Sequence, residues 1–337
     1  MITLGIETSC DETSCAILEN GNKLRSNIIS SSLSKHKPFG GVVPEIASRH
    51  SLEAIDAVYQ TALRVAKVKQ SDIDLVAVTE GPGLVGSLLV GVSFAKALGF
   101  ALEKPVIGVQ HLKAHIEANF IDHARPKKPF IGLVVSGGHT SIIRVSGFKY
   151  EEIGSTIDDA IGEAYDKSGK ILGLGFPGGP VIDRLAQQGN PNLFWFTKPR
   201  VSGKYDFSFS GIKTAVLHAV CGTGKTVQLP VQLSEQKLRD LCASFQFSVT
   251  EWVLEKTLLA CEDYKIKTIA VGGGVSANSR LRTRFQEECR LRGMELFIPP
   301  LALTLDNAAM IARLGYAYYQ KGIKTNLKLS ANSSLEF

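Results

Sequence analysis

A chain of 337 residues is longer than one hydrophobic core of ordinary size supports, so two domains are expected. The composition, 44% hydrophobic and 21% charged, is that of an ordinary soluble globular protein. The net charge of +6, from 38 Lys and Arg against 32 Asp and Glu, favours a polyanionic partner only mildly and selects none by itself.

The N-terminus runs straight into a strand without a basic flank or cleavage site, which argues against a secretory signal and for the cytoplasm. Six cysteines without CxxC spacing or dense clustering read as reduced thiols. Residues 2–6 and 14–18 form two strands around a small polar turn, Glu7-Thr8-Ser9-Cys10-Asp11-Glu12-Thr13. A polar, glycine-punctuated stretch leads to Gly40-Gly41-Val42-Val43-Pro44, and Pro44 is suited to open a helix. In that helix Leu52, Ile55, Tyr59, Leu63 and Ala66 step by three or four, marking its buried face.

A buried strand, Leu75–Thr79, precedes the tight turn Gly81-Pro82-Gly83. The longest apolar stretch, Leu84 to Leu102, is interrupted by Gly86, Ser87, Gly91, Ser93, Lys96 and Gly99, so it reads as a buried helix rather than a membrane span. Strand Val106–Val109 follows, then a helix from His111, and Arg125-Pro126-Lys127-Lys128-Pro129 is the candidate linker. The pattern then restarts with strand 130–135, a turn, strand 141–145 and helices. A helical region of about 234–264, strand Thr268–Val271, a helix from near Asn278 and a last helix of about 306–320 complete the order. β-β-α-β-α order in each half predicts mixed sheets covered by helices, and the polar tail after Thr325 is expected to be mobile.

The turns after the first and the restarted strand share a design, because backbone N–H groups and hydroxyls in both can converge on an anion. Two such turns point to a duplicated nucleotide-binding architecture. His111 and His115, at i and i+4, share a helix face and suit one metal ion, although structural pairs use the same spacing. Leu112-Lys113-Ala114 between them lacks the glutamate of a zinc protease. Asp306 is the candidate third ligand, and at a predicted helix start it is equally a candidate N-cap.

Gly272-Gly273-Gly274-Val275-Ser276-Ala277-Asn278, between strand and helix, admits close approach of a ligand but lacks GxGxxG order. Gly222-Thr223-Gly224-Lys225-Thr226 mimics the end of a P-loop, yet Ala219 stands where the first glycine is needed, so it is rejected. Asp159, Glu163 and Asp166, at i, i+4 and i+7, are expected on one helix face. Phe176-Pro177-Gly178-Gly179-Pro180 is a turn whose amides can reach a ligand, with Asp183 one helical turn on. Asp206–Thr214 alternates as a strand burying Phe207 and Phe209, or as aromatic platforms beside Lys213 for nucleic acid. Arg280, Arg282, Arg284, Arg290 and Arg292 form a basic cluster, either a solvated face or an RNA footprint.

Taken in order, ten segments resemble the TsaD and Kae-type family of tRNA-modifying transferases, once described as glycoproteases. They are Glu7–Thr13, Gly40–Glu45, Gly81–Leu84, His111-x3-His115, Val135–Thr140, Gly162–Lys167, Pro177–Pro180, Ser208–Gly211, Gly273–Asn278 and Asp306-Asn307. The resemblance runs from residue 2 to about residue 320. It implies the actin-like ATPase (ASKHA) fold, an α/β fold of two ribonuclease-H-like domains with mixed sheets facing a nucleotide cleft. The first would span 1–125, joined by a C-terminal helix of about 306–325; the second would span 126–305, with a helical insertion.

The implied activity moves a threonylcarbamoyl group from threonylcarbamoyl-AMP to N6 of adenosine 37 in tRNAs reading codons that start with A. The family pattern assigns one metal ion, Fe2+ with Zn2+ as the other choice, to His111, His115 and Asp306. It assigns the adenylate, or another adenine nucleotide, to Val134, Val135, Ser136, Gly137, Gly138, Asp166, Gly179, Asp183 and Asn278. Asp11 and Glu12 in the first turn are the candidates for proton handling or substrate positioning. The implied partners are tRNA, a paralogous TsaB-like subunit, a small TsaE-like ATPase and a separate synthase that supplies threonylcarbamoyl-AMP; no membrane is implied.

Two departures stand out. Lys113-Ala114 replaces the Glu-Gly common between the metal histidines, and Asn326–Ser330 replaces a Pro-Arg-Trp ending. A small-molecule kinase and a non-catalytic nucleotide-binding partner remain the competing functions on this fold.

Overall fold

The computed structural model describes residues 1–222, 233–323 and 327–337, which divide into two compact units. The P-loop-like run beyond Gly222, and residues 324–326 at the start of the tail, lie outside the described residues. One unit comprises Met1–Arg125 and Pro299–Phe337, and the other Pro126–Ile298.

The first unit begins with β1 (Ile2–Glu7), β2 (Glu12–Glu19), β3 (Lys23–Ser31), α1 (Leu33–His36) and α2 (Pro44–Ala66). It continues with β4 (Leu75–Gly81), α3 (Val85–Ala101), β5 (Val106–Gln110) and α4 (His111–Glu117). The second contains β6 (Phe130–Val135), β7 (Thr140–Ser146), β8 (Lys149–Ser155), α5 (Ile161–Ile171), α6 (Gly179–Ala186) and α7 (Ser210–Cys221). After these come α8 (Glu235–Asp263), β9 (Thr268–Gly272), α9 (Ser279–Leu291) and β10 (Glu295–Phe297). The chain then re-enters the first unit as α10 (Ala308–Gln320).

Each unit holds one five-stranded sheet, ordered β3-β2-β1-β4-β5 and β10-β9-β6-β7-β8. In both, the first three strands form an antiparallel meander and the last two join in parallel beside the first strand. The order is therefore the same twice. β3 and β8, with largely polar sequence, and the three-residue β10 lie at sheet edges, where one flank meets no strand, and the predicted order lacked all three.

Strand alternation sets what each face of the first sheet packs against. Leu4, Ile6, Cys15, Ile17, Val76 and Val78 form one core with Ile55, Tyr59 and Leu63 of α2 and Val92 of α3. Ala16 and Leu18 point the other way, onto Ala308, Ala309 and Ala312 of α10. Gly5 shares that second face, and a Cβ there would stand 2.1 Å from the Ala308 carbonyl oxygen, so α10 lies directly on the β1 backbone. By the same alternation Glu7 and Thr79 face the side that carries α10.

Several expectations change in detail. Leu52, expected on the buried face of α2, is 70% exposed; Val58 and Ala62 are buried instead. The helix expected over Leu84–Leu102 is buried on one side but exposes Val85, Leu89 and Phe100. Among the described residues no helix is long and apolar enough to cross a membrane. Residues 327–337 are packed rather than loose: Leu329 is buried, and Asn332 N–H donates to the Glu80 carbonyl at 2.9 Å.

Candidate functional site

In the first unit, β1 ends at Glu7 and β5 runs directly into α4, whose first residue is His111. The Gln110 side chain caps that helix by accepting Lys113 N–H at 2.7 Å. His111 and His115 lie one turn apart with their rings edge to face, centroids 4.6 Å from each other, and both are buried. Asp306 reaches the same spot from just before α10. Its Oδ1 lies 3.5 Å from His111 Nε2 and 3.1 Å from His115 Nε2. The N-cap role open to Asp306 belongs to Asn307, whose side chain accepts Met310 N–H.

One nitrogen from each histidine and one Asp306 oxygen lie within 4.8 Å of one another. Neither ring nitrogen of His115 has a hydrogen-bond partner among the described residues, because the close approach to Asp306 lacks hydrogen-bond geometry. An orphaned buried imidazole is costly, and a cation facing it and the carboxylate removes that cost. The donor set of two imidazoles and a carboxylate therefore fits a divalent transition metal.

Charge follows the same geometry. Burial alone would lower the His111 pKa, but the carboxylates of Glu7 and Asp306 outweigh it and hold it well above the ordinary value. His115 is lowered by its burial and by the neighbouring His111. Burial opposes ionisation of Asp306, yet the two histidines hold its carboxyl well below the usual range.

Glu12 opens β2 and accepts a hydrogen bond from Ser31 Oγ at 3.1 Å. Burial, then the charges of Asp306 and Asp11, push its pKa up to about 9. Asp11 contributes its carbonyl to Ser32, which donates from both N–H and Oγ at 2.9 Å. Lys113 lies off the 111/115 face by helical periodicity, with Nζ 5.9 Å from the centre of the Phe337 ring. Ala114 is fully buried, so the departure from Glu-Gly leaves the histidine face intact.

The second unit gathers the other predicted residues. Val134 and Val135 end the fully buried β6, and Ser136 N–H donates to the His139 carbonyl to close the turn. Gly137 and Gly138 are exposed, with open space where a Cβ would stand. Helix α5 starts against this turn: Gly162 N–H donates to the Ser136 carbonyl and Ile161 N–H to Thr140 Oγ1. Asp166 on α5 accepts Gly178 N–H at 2.8 Å, which ties the Pro177–Gly179 turn to that helix.

Asp183 accepts from Gln246 Nε2, Ser279 N–H and Ser279 Oγ. Asn278 caps α9 through Leu281 N–H, and its Nδ2 donates to Tyr165 Oη and Gln246 Oε1. These two are thus anchored beside the turn by protein groups.

Other motifs have structural roles. Asp159 precedes α5 rather than lying on it, and Lys167 bridges it to Glu163. Phe207 and Phe209 are buried and stacked but form no regular strand, so they are not platforms for nucleic acid. The hydroxyls of Ser208 and Ser210 donate to the Asp158 carboxylate, which also accepts from the Phe209 and Ser210 N–H groups. Arg280, Arg284 and Arg292 are engaged with Glu251, Glu262, Glu287 and Glu288.

Sequence reasoning did not single out Glu7, quoted only as part of a motif, which the structure places against the cluster. It is fully buried, and His111 Nδ1 lies 3.1 Å from its Oε2. Its signal in the sequence is a lone acidic residue ending the apolar run Leu4-Gly5-Ile6.

Comparison with known proteins shows the family of the chain. The family described as TsaD, tRNA N6-adenosine threonylcarbamoyltransferase, matches residues 23–313. A protein of that name from Dictyoglomus turgidum is 52% identical, covering 99% of this chain and 98% of its own. One from Thermosipho melanesiensis is 49% identical over 99% and 100%. Two distant structures share the fold alone. Full-length HypF in its phosphate- and nucleotide-bound form superposes with a TM-score of 0.59 at 14% identity, over 95% of this chain and 46% of that one. Component A of the Acidaminococcus fermentans (R)-2-hydroxyglutaryl-CoA dehydratase gives 0.53 at 14%, over 95% and 99%. The fold class is the actin-like ATPase fold.

Proposed function

Because the chain belongs to the tRNA N6-adenosine threonylcarbamoyltransferase family, we propose that it moves a threonylcarbamoyl group from threonylcarbamoyl-AMP to N6 of adenosine 37 in tRNA. The N6–carbonyl bond forms, the bond from that carbonyl to the phosphate oxygen breaks, N6 loses a proton and AMP leaves. The observation that carries this reading is the buried cluster of His111, His115 and Asp306 in a chain about half identical, end to end, to relatives of that name. A small-molecule kinase has no use for the cluster, and the relatives' name does not favour one.

The donor carbonyl is already activated as a mixed anhydride, so no protein nucleophile is required. N6 of adenine is a weak nucleophile, and holding it against the carbonyl is the main task; such positioning supplies roughly 7–11 kcal/mol. His111, His115 and Asp306 are the residues that would hold the metal, iron or zinc, which when bound supplies Lewis acidity and a template for a ligand oxygen. The Ser136–Gly138 turn, with its open glycines, and Val134, Val135, Asp166, Gly179, Asp183 and Asn278 around it are assigned to the adenylate. Glu12 with its carboxyl neutral can lie near a phosphate without repelling it, and its ionised form, whose pKa raised to about 9 makes it the stronger base, can take the proton that leaves N6. Asp11 beside it is assigned to positioning.

The net charge of +6 suits a tRNA substrate. In the first unit the packed pair α2 and α3 exposes Leu52, Val65, Leu89 and Phe100, apolar surface that a paralogous TsaB-like subunit would cover. A TsaE-like ATPase and a synthase supplying threonylcarbamoyl-AMP complete the assignment, with the cytoplasm as its place.

The test combines the protein with those partners, threonine, bicarbonate, ATP, the synthase and unmodified tRNA, then weighs the nucleosides of the digested tRNA. Threonylcarbamoyladenosine is expected. Its absence under conditions in which the Dictyoglomus turgidum relative produces it would overturn the assignment.

A further inference from the structure

We propose that Glu7 is a positioning residue for the metal centre: its carboxylate fixes the His111 ring so that Nδ1 carries the proton and Nε2 alone faces the metal. The inference rests on the reading of His111, His115 and Asp306 as metal ligands. Glu7 lies at the end of β1, on the α10-facing side of the sheet, with no exposed surface. A carboxylate buried this deeply persists only when its lone pairs are used. One oxygen accepts Ser9 N–H, and the other accepts Thr79 Oγ1 and faces His111 Nδ1 at 3.1 Å. The parallel register of β1 and β4, with Ile6 opposite Val78, is what brings Thr79 beside Glu7.

An ionised carboxylate can only accept hydrogen bonds, so the imidazole nitrogen facing it must be the one that carries hydrogen. The remaining lone pair is then on Nε2, the nitrogen that approaches Asp306. With the opposite tautomer, a lone pair would face the carboxylate at 3.1 Å, and the only compensation would be the longer contact from the Ser9 hydroxyl, 3.3 Å from Nδ1. The second histidine makes a useful contrast, because His115 Nδ1 has no partner among the described residues. The His111 ring is therefore oriented by the Glu7 carboxylate at the end of β1, with the Ser9 hydroxyl beside the same nitrogen. Carboxylate–histidine pairs of this kind orient metal ligands and raise their basicity.

Glu7→Gln keeps the shape and removes the charge. Its amide NH2 must face either the Ser9 N–H or the His111 Nδ1–H, so one donor meets another donor in either orientation. The expected loss in metal affinity is about 10–100-fold.

The experiment titrates Zn2+ into metal-stripped wild-type and Glu7→Gln full-length protein against a chromophoric chelator, with thermal unfolding of both metal-free forms as the check on folding. Nitrogen-edited NMR of the Zn2+-loaded wild type then reads which ring nitrogen of His111 carries the proton. The expected results are one Zn2+ per wild-type chain, the weakening above at retained metal-free stability, and a protonated His111 Nδ1. Wild-type protein that takes up no stoichiometric Zn2+ would remove the metal reading itself. One Zn2+ bound equally by both proteins, or Zn2+ found on Nδ1, would overturn the role of Glu7 and leave the metal reading standing. Should Glu7→Gln not fold, the wild-type spectrum alone decides.

Discussion

Glu12 shows how one residue's surroundings set its chemistry. In solution its carboxyl would ionise near its ordinary value of 4.5; in the fold, burial and the charges of Asp306 and Asp11 raise it to about 9. Between those two values the folded protein holds a proton that the unfolded chain has lost. Stability from this group is therefore fully present below about pH 4.5 and is lost as pH rises through about 9. Metal-free wild-type protein should thus lose melting temperature between pH 5 and pH 9, and Glu12→Gln, which cannot ionise, should lose less. Because the Asp306 charge is one cause of the shift, a cation bound there should lower the Glu12 pKa and release part of a proton, readable as buffer-dependent heat in calorimetry. Identical pH dependence in the two proteins would show that folding does not raise the Glu12 pKa and would remove the strengthened basicity assigned to it.

At the scale of elements, what the sequence shows is governed by burial. The strands with continuous apolar runs, β1, β4, β6 and β9, are legible because both faces are covered. β3 and β8 are written as Lys-Leu-Arg-Ser-Asn-Ile-Ile-Ser-Ser and Lys-Tyr-Glu-Glu-Ile-Gly-Ser, half-exposed edge strands whose polar residues hide them. The histidine pair is legible from helical spacing, and Asp306 only as one of two readings. Glu7 is hidden because its partner is 104 residues away and depends on the register of β1 with β4. The seat of α10 is equally non-local, since it depends on Gly5 having no side chain where the Ala308 carbonyl approaches. Gly5→Ala should force helix and strand apart, at a cost of about 1–3 kcal/mol by urea denaturation, and should weaken metal binding by moving the adjacent Asp306. A change within about 0.5 kcal/mol, as at a surface position, would mean that α10 does not rest on the β1 backbone.

On the scale of the whole molecule, one sheet order is used twice, and the turn after the first strand is filled differently each time. In the second unit it is an open glycine turn, Ser136-Gly137-Gly138; in the first it carries Asp11 and Glu12 beside a buried ligand cluster. In the proposed function the glycine turn is the one assigned to the adenylate and the acidic turn the one assigned to proton handling. The C-terminal segment supports the first unit. Its polar composition suggested mobility, because composition does not reveal contacts made largely by backbone groups, together with the Leu329 side chain. Lys96 Nζ donates to the Leu329 carbonyl at 3.0 Å, Asn332 N–H to Glu80, and Gly83 N–H to Ser333 at 3.3 Å. Gln110, the cap of α4, donates to the Leu335 carbonyl at 3.4 Å. Burying one leucine contributes about 1.5–3 kcal/mol, and each hydrogen bond about 0.5–1.5 kcal/mol. Deleting residues 327–337 should therefore destabilise the first unit by about 3 kcal/mol or more. Hydrogen exchange followed by peptide mass spectrometry should show faster exchange in β4, α3, β5 and α4, with β6 and β9 unchanged. Equal exchange in the full and shortened chains would show that the segment contributes nothing to the strand ends and helix that carry the histidines.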